Sequence, residues 1–176
     1  MLCSYGGAIF DILYVRSLGN VEACYVQDGH GGLMFPKLFP FDDAARAQFA
    51  TTVAEMLELQ MVVSGKRIED DESRPNRKAL GYIYGYIDAA LRAIGQDMSK
   101  MSVGVPITFQ IMHKLWPEHT VEYMDVIARN IGSDDVMMFG IMHGGQQYTD
   151  YLKAGSAGAP MGLARFIIDG DNRSVS

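Results

Sequence analysis

The sequence predicts a mainly helical α+β fold, a bundle of about five or six helices with a small N-terminal β-hairpin. Residues 76–96 repeat apolar side chains at helical spacing, and similar patterns lie on both sides. Residues rich in β-formers are concentrated in 8–15 and 21–26. The regular alternation of strand and helix that a parallel sheet needs is absent. With 48% hydrophobic and 20% charged residues, the 176-residue chain suits one globular domain with a substantial core.

Residues 1–40 are predicted to form the hairpin and an apolar loop. Residues 8–15, AIFDILYV, and 21–26, VEACYV, flank the turn-forming sequence RSLGN, which is typical of a hairpin connection. Residues 27–40 contain three glycines and two prolines, so regular structure is not expected across most of them. The N-terminus is apolar, but it has no basic leader and is too short to span a bilayer, so we expect neither a signal peptide nor a membrane segment.

The central helix is predicted over residues 76–96. One face of roughly 120° carries its apolar side chains, namely Leu80, Ile83, Tyr84, Ile87, Ala90, Leu91 and Ile94. A second stripe has only small side chains at every fourth position, Gly81, Gly85, Ala89 and Ala93. A glycine inside a helix costs about 1 kcal/mol relative to alanine, so the stripe favours close approach of another backbone. The alternative is that the glycines only relieve local crowding.

Capping residues and prolines mark three further helices. Asp42 is expected to cap a long helix over about residues 43–64. Pro106 suits the first turn of a helix of about ten residues, where its missing N–H costs no hydrogen bond. Thr120 suits the N-cap of a helix over about residues 121–131.

The C-terminal part is predicted to contain one more long helix. Ser133, Asp134 and Asp135 suit its start, because hydroxyl and acidic side chains complement a helix N-terminus. Gly144-Gly145 weakens this helix, and the sequence leaves open whether the helix kinks or breaks there. The chain is therefore expected to be a single domain over residues 1–176, with a hairpin and apolar loop over 1–40, a helical body over 41–168 and a flexible tail over 169–176.

The composition argues against several classes of function. The net charge is −6 and the 15 Lys and Arg residues are scattered, so nucleic acid is not an expected partner. Cys3 and Cys24 are too few for a disulfide scaffold or a zinc knuckle, which favours a reducing cytoplasm. Eight of the 12 methionines lie between Met98 and Met161. This favours ordinary core filling, with an adaptable binding surface as the alternative.

Two histidines, His30 and His143, each precede a pair of glycines. This sequence can present an imidazole and backbone N–H groups to a ligand, although chance is a sufficient explanation in a chain with 19 glycines. Asp28 is interpreted either as a partner of His30 in binding a ligand or relaying a proton, or as a turn residue. Asp88 and Arg92 lie one turn apart on the predicted central helix. They are interpreted either as an ion pair that sets helix packing or as part of a polar binding site.

The candidates for a metal site are His113, His119 and Glu122, because His and Glu on helices bind zinc or iron. Pro117 interrupts the helix between the two histidines. The Glu-x-x-His order of a di-iron site is reversed in this segment. A polar corner between two helices is therefore the favoured interpretation.

The segments GYIYGYIDA, residues 81–89, and VGVP, residues 103–106, resemble parts of small helical immunity proteins of bacterial secretion systems. Proteins of that family carry export signals and paired cysteines, neither of which is expected here. The two segments cover a minority of the chain, and no family is assigned on this basis.

The sequence contains no P-loop, dinucleotide fingerprint, zinc-ligand spacing or nucleophile motif. We therefore expect a soluble, cytoplasmic, noncatalytic helical module that binds a second copy of itself or another protein, with neither nucleic acid nor a membrane as partner. The alternative is a small-molecule- or metal-dependent enzyme with a site between helices, built from the histidines and acids named above. No particular cofactor is predicted.

Overall fold

A computed structural model describes residues 12–18, 21–27, 33–34, 42–63, 65, 75–154 and 162–169 of the chain. The chain divides into two compact units, Met1–Phe41 and Asp42–Ser176, and each is described by itself. The expectation of a single domain stays a prediction.

The described backbone of the first unit forms three antiparallel strands. They are β1 (Ile12–Leu18), β2 (Val21–Gln27) and β3 (Leu33–Met34), in the spatial order β1-β2-β3. Val15 of β1 lies opposite Cys24 of β2. Residues 8–11 and the connection at 19–20 lie outside the described residues, so the predicted hairpin over 8–26 stays a prediction.

The second unit is helical, as the sequence predicts. Among the described residues it contains six helices: α1 (Asp43–Val63), α2 (Arg77–Ala93), α3 (Met101–Leu115), α4 (Thr120–Asn130), α5 (Asp135–Lys153) and α6 (Gly162–Asp169). Asp42 caps α1 as expected, because its carboxylate accepts a hydrogen bond from the N–H of Ala45 at 2.8 Å. Gly132 follows Ile131, the C-cap of α4, and adopts a φ of +79°, where a residue with a side chain would be strained.

Helix α2 is the interior element of this unit. Most of its predicted apolar face is buried, including Ile83, Ile87 and Leu91, whereas Tyr84 and Ile94 are half-buried. Tyr82 and Tyr86 are also buried, so α2 is covered on more than one side. The predicted helix over 76–96 is therefore confirmed, and only its last turn is shorter than expected.

The small-residue stripe of α2 is the surface on which α5 packs. A Cβ atom on Gly81 or Gly85 would overlap carbonyl groups of the α5 backbone. The relation is reciprocal, since a Cβ on Gly140 or Gly144 of α5 would overlap carbonyl groups of α2. Two glycine pairs thus allow direct backbone contact between the helices, which is the close approach that the sequence favoured.

Helix α5 is not broken at Gly144-Gly145, because it runs without interruption from Asp135 to Lys153. The α2 backbone occupies the space beside Gly144, and this packing offsets the low helix propensity of glycine.

Two expected helix starts are also corrected. Helix α3 begins at Met101, so Pro106 lies inside the helix rather than in its first turn. The first turn forms earlier because the Lys100 carbonyl accepts hydrogen bonds from the N–H groups of Val103 and Gly104, at 2.8 and 2.9 Å. Thr120 is the first residue of α4 rather than its N-cap. Its hydroxyl donates instead to the Trp116 carbonyl at 2.9 Å, within the corner between α3 and α4.

The start of α5 is tied to the start of α2. Asp134 is the N-cap of α5, and its carboxylate accepts a hydrogen bond from the N–H of Met137 at 2.8 Å. The same carboxylate forms an ion pair with Arg77 at the first position of α2. One side chain therefore holds the ends of the two helices whose glycines interlock.

Replacing Asp134 by alanine is expected to lower the free energy of unfolding by about 2 kcal/mol, because the helix cap and the ion pair are lost together. Urea unfolding followed by circular dichroism measures the change. Asp135→Ala is the matched control, since this neighbouring carboxylate is exposed and caps no N–H. Equal effects of the two substitutions would contradict the role assigned to Asp134.

Candidate functional site

Several large apolar side chains of α1 and α3 remain exposed. Val105 and Phe109 of α3 lie one helical turn apart and are 50% and 42% exposed. Leu59, Val62 and Val63 near the end of α1 are more than half exposed. These five residues are called here the α1–α3 apolar surface. The exposure of large apolar groups on two packed helices makes them a candidate interaction surface.

A groove of about 240 Å³ lies between α1 and α3. It is lined by Ala47, Thr51, Phe109, Gln110, His113 and Lys114. The start of α1 therefore lies beside the end of α3. Phe109 belongs both to this groove and to the α1–α3 apolar surface.

Two of the side chains that line this groove, Phe109 and His113, have stacked rings. The Phe109 and His113 rings have centroids 6.1 Å apart and an interplanar angle of 11°. The Nδ1 atom of His113 lies 3.4 Å from the Thr120 hydroxyl oxygen. The groove can accept an apolar side chain beside an imidazole and the Lys114 ammonium group, which is a chemistry suited to a peptide or a protein side chain.

The three metal candidates lie at the corner between α3 and α4. The Nδ1 atom of His119 is 3.2 Å from Glu122 Oε2, and the His119 ring stacks on Tyr123. His113 is on α3, with Thr120 between it and this pair. Within the residues that the structure describes, no three His, Cys, Asp or Glu side chains are grouped to hold a metal ion. The metal site therefore stays a prediction.

His143 lies in an aromatic cluster at the surface of α5. Its ring centroid is 4.3 Å from that of Phe139 and 5.8 Å from that of Phe166 in α6. The Lys78 ammonium lies 5.3 Å from the centroid of Phe139 and 5.6 Å from that of Phe166, within cation–π range. Asp28 and His30 lie outside the described residues, so their proposed role stays a prediction.

Asp88 and Arg92 form an ion pair on the outside of α2. The Arg92 guanidinium lies 2.8 Å from the Asp88 carboxylate, and the Arg92 side chain is 73% exposed. An exposed pair one turn apart on a helix contributes about 0.3–0.5 kcal/mol. Their geometry fits the structural interpretation, and a ligand-binding role stays a prediction.

A buried polar cluster was not predicted from the sequence. The Tyr82 hydroxyl lies 2.9 Å from Gln60 Oε1 and 3.0 Å from Gln147 Oε1. Gln147 Oε1 also accepts a hydrogen bond from the Gly162 N–H at 3.0 Å. The one sequence signal was Gln60, a polar residue at an apolar position of α1. Gln147 gave no signal, because its burial depends on α6.

Burial raises the pKa of the Tyr82 hydroxyl well above its ordinary value, although the hydrogen bond with Gln60 acts in the opposite direction. Burial also raises the pKa of Tyr86, assisted by the neighbouring hydroxyl of Tyr148. Neither phenol is therefore suited to act as a base near neutral pH. Both tyrosines belong to the core, and the Tyr82 hydroxyl serves to connect α1, α2 and α5.

Comparison with protein-family models, with curated protein sequences and with solved structures finds no significant match for this chain. Among the helices that the structure describes, none has both the length and the apolar character needed to cross a bilayer. The functional argument therefore depends on the surface and the packing of the described residues.

Proposed function

We propose that the helical unit is a protein-binding module that self-associates through the α1–α3 apolar surface in the cytoplasm. The observation that carries this proposal is the exposure of Val105 and Phe109 on α3 and of Leu59, Val62 and Val63 on α1. The glycine residues of α2 and α5 pack against the backbone of the other helix inside the unit, so these surfaces are not available to a second chain. A second copy of the chain is the simplest occupant of the exposed face, because two identical apolar surfaces can cover each other around a two-fold axis.

Charge is expected to limit this association. Each copy has a net charge of −6, so two copies repel each other at low ionic strength. Salt screens this repulsion and leaves the apolar contact largely unaffected. Self-association through this surface should therefore strengthen as salt is added, which distinguishes it from association through ion pairs.

The test is sedimentation velocity over a range of protein concentrations. The unaltered chain is expected to form a two-chain species, and the Val105→Asp/Phe109→Asp double variant is expected to lose it, because carboxylates in an apolar contact are costly to desolvate. Val121→Asp is the matched control, since Val121 is an exposed apolar residue on α4 outside the surface. A chain that sediments as a single copy at every concentration would contradict self-association.

A competing proposal is a small-molecule- or metal-dependent enzyme. The observation that favours it is the position of His113 in the α1–α3 groove, next to Thr51 and Lys114. Elemental analysis of the purified chain tests the metal version, and protein without bound metal would contradict it.

A further inference from the structure

The two helices that form the α1–α3 apolar surface carry opposite charges. The second half of α1, residues 54–63, contains Glu55 and Glu58, both exposed, and no basic residue. Helix α3 contains no acidic residue, and its last turn carries His113 and Lys114, both exposed. The exposed side of α1 is therefore acidic, and the exposed side of α3 is basic at its end.

The carboxylates of α1 share one side of the helix with its exposed apolar residues. At about 100° per residue, four exposed side chains fall within an arc of about 100°, namely Glu55, Glu58, Leu59 and Val62. Glu55 lies one turn before Leu59, and Glu58 lies one turn before Val62. Any surface that covers the two apolar residues is therefore also close to both carboxylates.

On α3 the exposed apolar residues are accompanied by basic groups. The Phe109 ring stacks on the His113 ring, at a centroid distance of 6.1 Å. Phe109 and Lys114 line the same groove, and the described side chains that line it include no carboxylate. The Lys114 side chain is an ammonium group, and the His113 ring becomes cationic when it is protonated. Helix α3 therefore offers apolar contact and positive charge together, which complements the exposed side of α1.

A two-fold axis can place the exposed helices of two copies against each other in different ways. If α1 covers α1, the carboxylates of Glu55 and Glu58 from both copies are brought together at the apolar contact. If α3 covers α3, the Lys114 ammonium groups of both copies are brought towards each other. Juxtaposed like charges oppose association, and opposite charges favour it. If α1 of each copy covers α3 of the other, both repulsions are avoided, and symmetry forms the favourable contact twice.

We propose that α1 of each copy packs on α3 of a second copy, and that the negative charge of Glu55 and Glu58 selects this pairing through the positive charge of Lys114. The pairing depends on the proposed self-association and specifies which helices meet. Exposed ion pairs contribute little affinity, so the apolar residues supply the attraction and the charges decide which helix covers which. Association is therefore still expected to strengthen as salt is added.

Charge reversal in the full chain tests the pairing, with the dissociation constant of the two-chain species measured by sedimentation velocity at low ionic strength. Lys114→Glu is expected to raise this constant about tenfold, because two symmetry-related contacts become repulsive. Lys153→Glu is the matched control for net charge, since Lys153 is exposed in the last turn of α5. The control is expected to change the dissociation constant by less than about threefold.

Charge reversal on α1 is expected to act against the effect of net charge. The Glu55→Lys/Glu58→Lys double variant is less negative than the unaltered chain, so weaker overall repulsion alone would strengthen its association. If α1 covers α3, this variant instead associates about tenfold more weakly, because the new lysines face Lys114. Adding Lys114→Glu to the double variant is expected to return the dissociation constant to within about threefold of that of the unaltered chain, since the charges on both helices are then reversed.

The outcomes separate the pairing from the proposed function. Association that is lost in Val105→Asp/Phe109→Asp but responds equally to Lys114→Glu and its control would overturn the pairing and leave the proposed function standing. Stronger association of Glu55→Lys/Glu58→Lys, as expected if α1 covers α1, would also overturn the pairing, as would a triple variant that does not recover. An unaltered chain that never associates would overturn both proposals. Circular dichroism of each variant is expected to show the helical fold retained, because the substituted charged side chains are exposed.

Discussion

Replacing Gly144 by alanine is expected to lower the free energy of unfolding by about 2–3 kcal/mol, the upper part of the range for overpacked cores. The new Cβ would overlap the Tyr82 carbonyl group, and its distance to the Tyr82 Cα would be only 3.0 Å. Both colliding groups belong to helix backbones, so neither can move away as a flexible side chain would. The helices would have to separate, and the other glycine contacts between α2 and α5 would loosen with them.

The neighbouring residue Gly145 provides a control of opposite sign. A Cβ at this position would lie 3.5 Å from the Gly85 carbonyl oxygen, which is ordinary van der Waals contact. Gly145→Ala should therefore raise the free energy of unfolding by up to about 1 kcal/mol, because alanine is the better helix former. Urea unfolding midpoints of the two variants measure both changes. Destabilisation of similar size at the two positions would contradict direct backbone contact at Gly144.

Alkaline pH is expected to unfold the helical unit through its buried tyrosines. The pKa values of Tyr82 and Tyr86 are raised in the folded chain, whereas an unfolded tyrosine titrates near pH 10. The folded state therefore retains these protons while the unfolded state releases them. Their contribution to stability is complete below about pH 10 and is lost as the pH rises towards the folded pKa, by about 1.4 kcal/mol per pH unit for each tyrosine.

This loss is large compared with the stability of a small domain, which is about 5–15 kcal/mol. Urea unfolding at a series of pH values above 10 measures the slope, and the ultraviolet absorbance of tyrosinate reports ionisation. Tyr82→Phe is the control variant, expected to be less stable at neutral pH but to lose stability about half as steeply at alkaline pH. Formation of tyrosinate by all tyrosines while the helical signal stays intact would contradict the prediction.

The local part of the fold could be predicted because its signals are local. The helical spacing in residues 76–96 and the acceptor side chains of Asp42 and Asp134 act within one or two turns of the chain. The expectations that were wrong concern Pro106 and Thr120. In each case a contact formed elsewhere changed the outcome, namely the earlier turn at Lys100 and the Trp116 carbonyl. Whether Gly144-Gly145 breaks α5 could not be predicted, because the α2 backbone that packs beside Gly144 is distant in sequence.

The candidate sites were less accessible to sequence reasoning. The apolar spacing along α3 marks the side that carries Ile107, Ile111, Met112 and Leu115, and all four are buried. It does not mark Val105 and Phe109 as a separate exposed pair. Gln60 and Gln147 are far apart in the chain and come together only around Tyr82.

By itself, the sequence determined that the region from Asp42 onwards is built of helices, that the segment around residues 76–96 is amphipathic, and that one of its faces is narrow enough for close packing. These properties follow from the order of side chains along a helix of 3.6 residues per turn. Only the tertiary structure decided that α5 packs on the small-residue face of α2, that the Gly162 N–H of α6 bonds to Gln147 Oε1 of α5, and that apolar residues of α1 and α3 stay exposed. These outcomes depend on contacts between residues distant in sequence, which compete for the same surfaces when the chain folds.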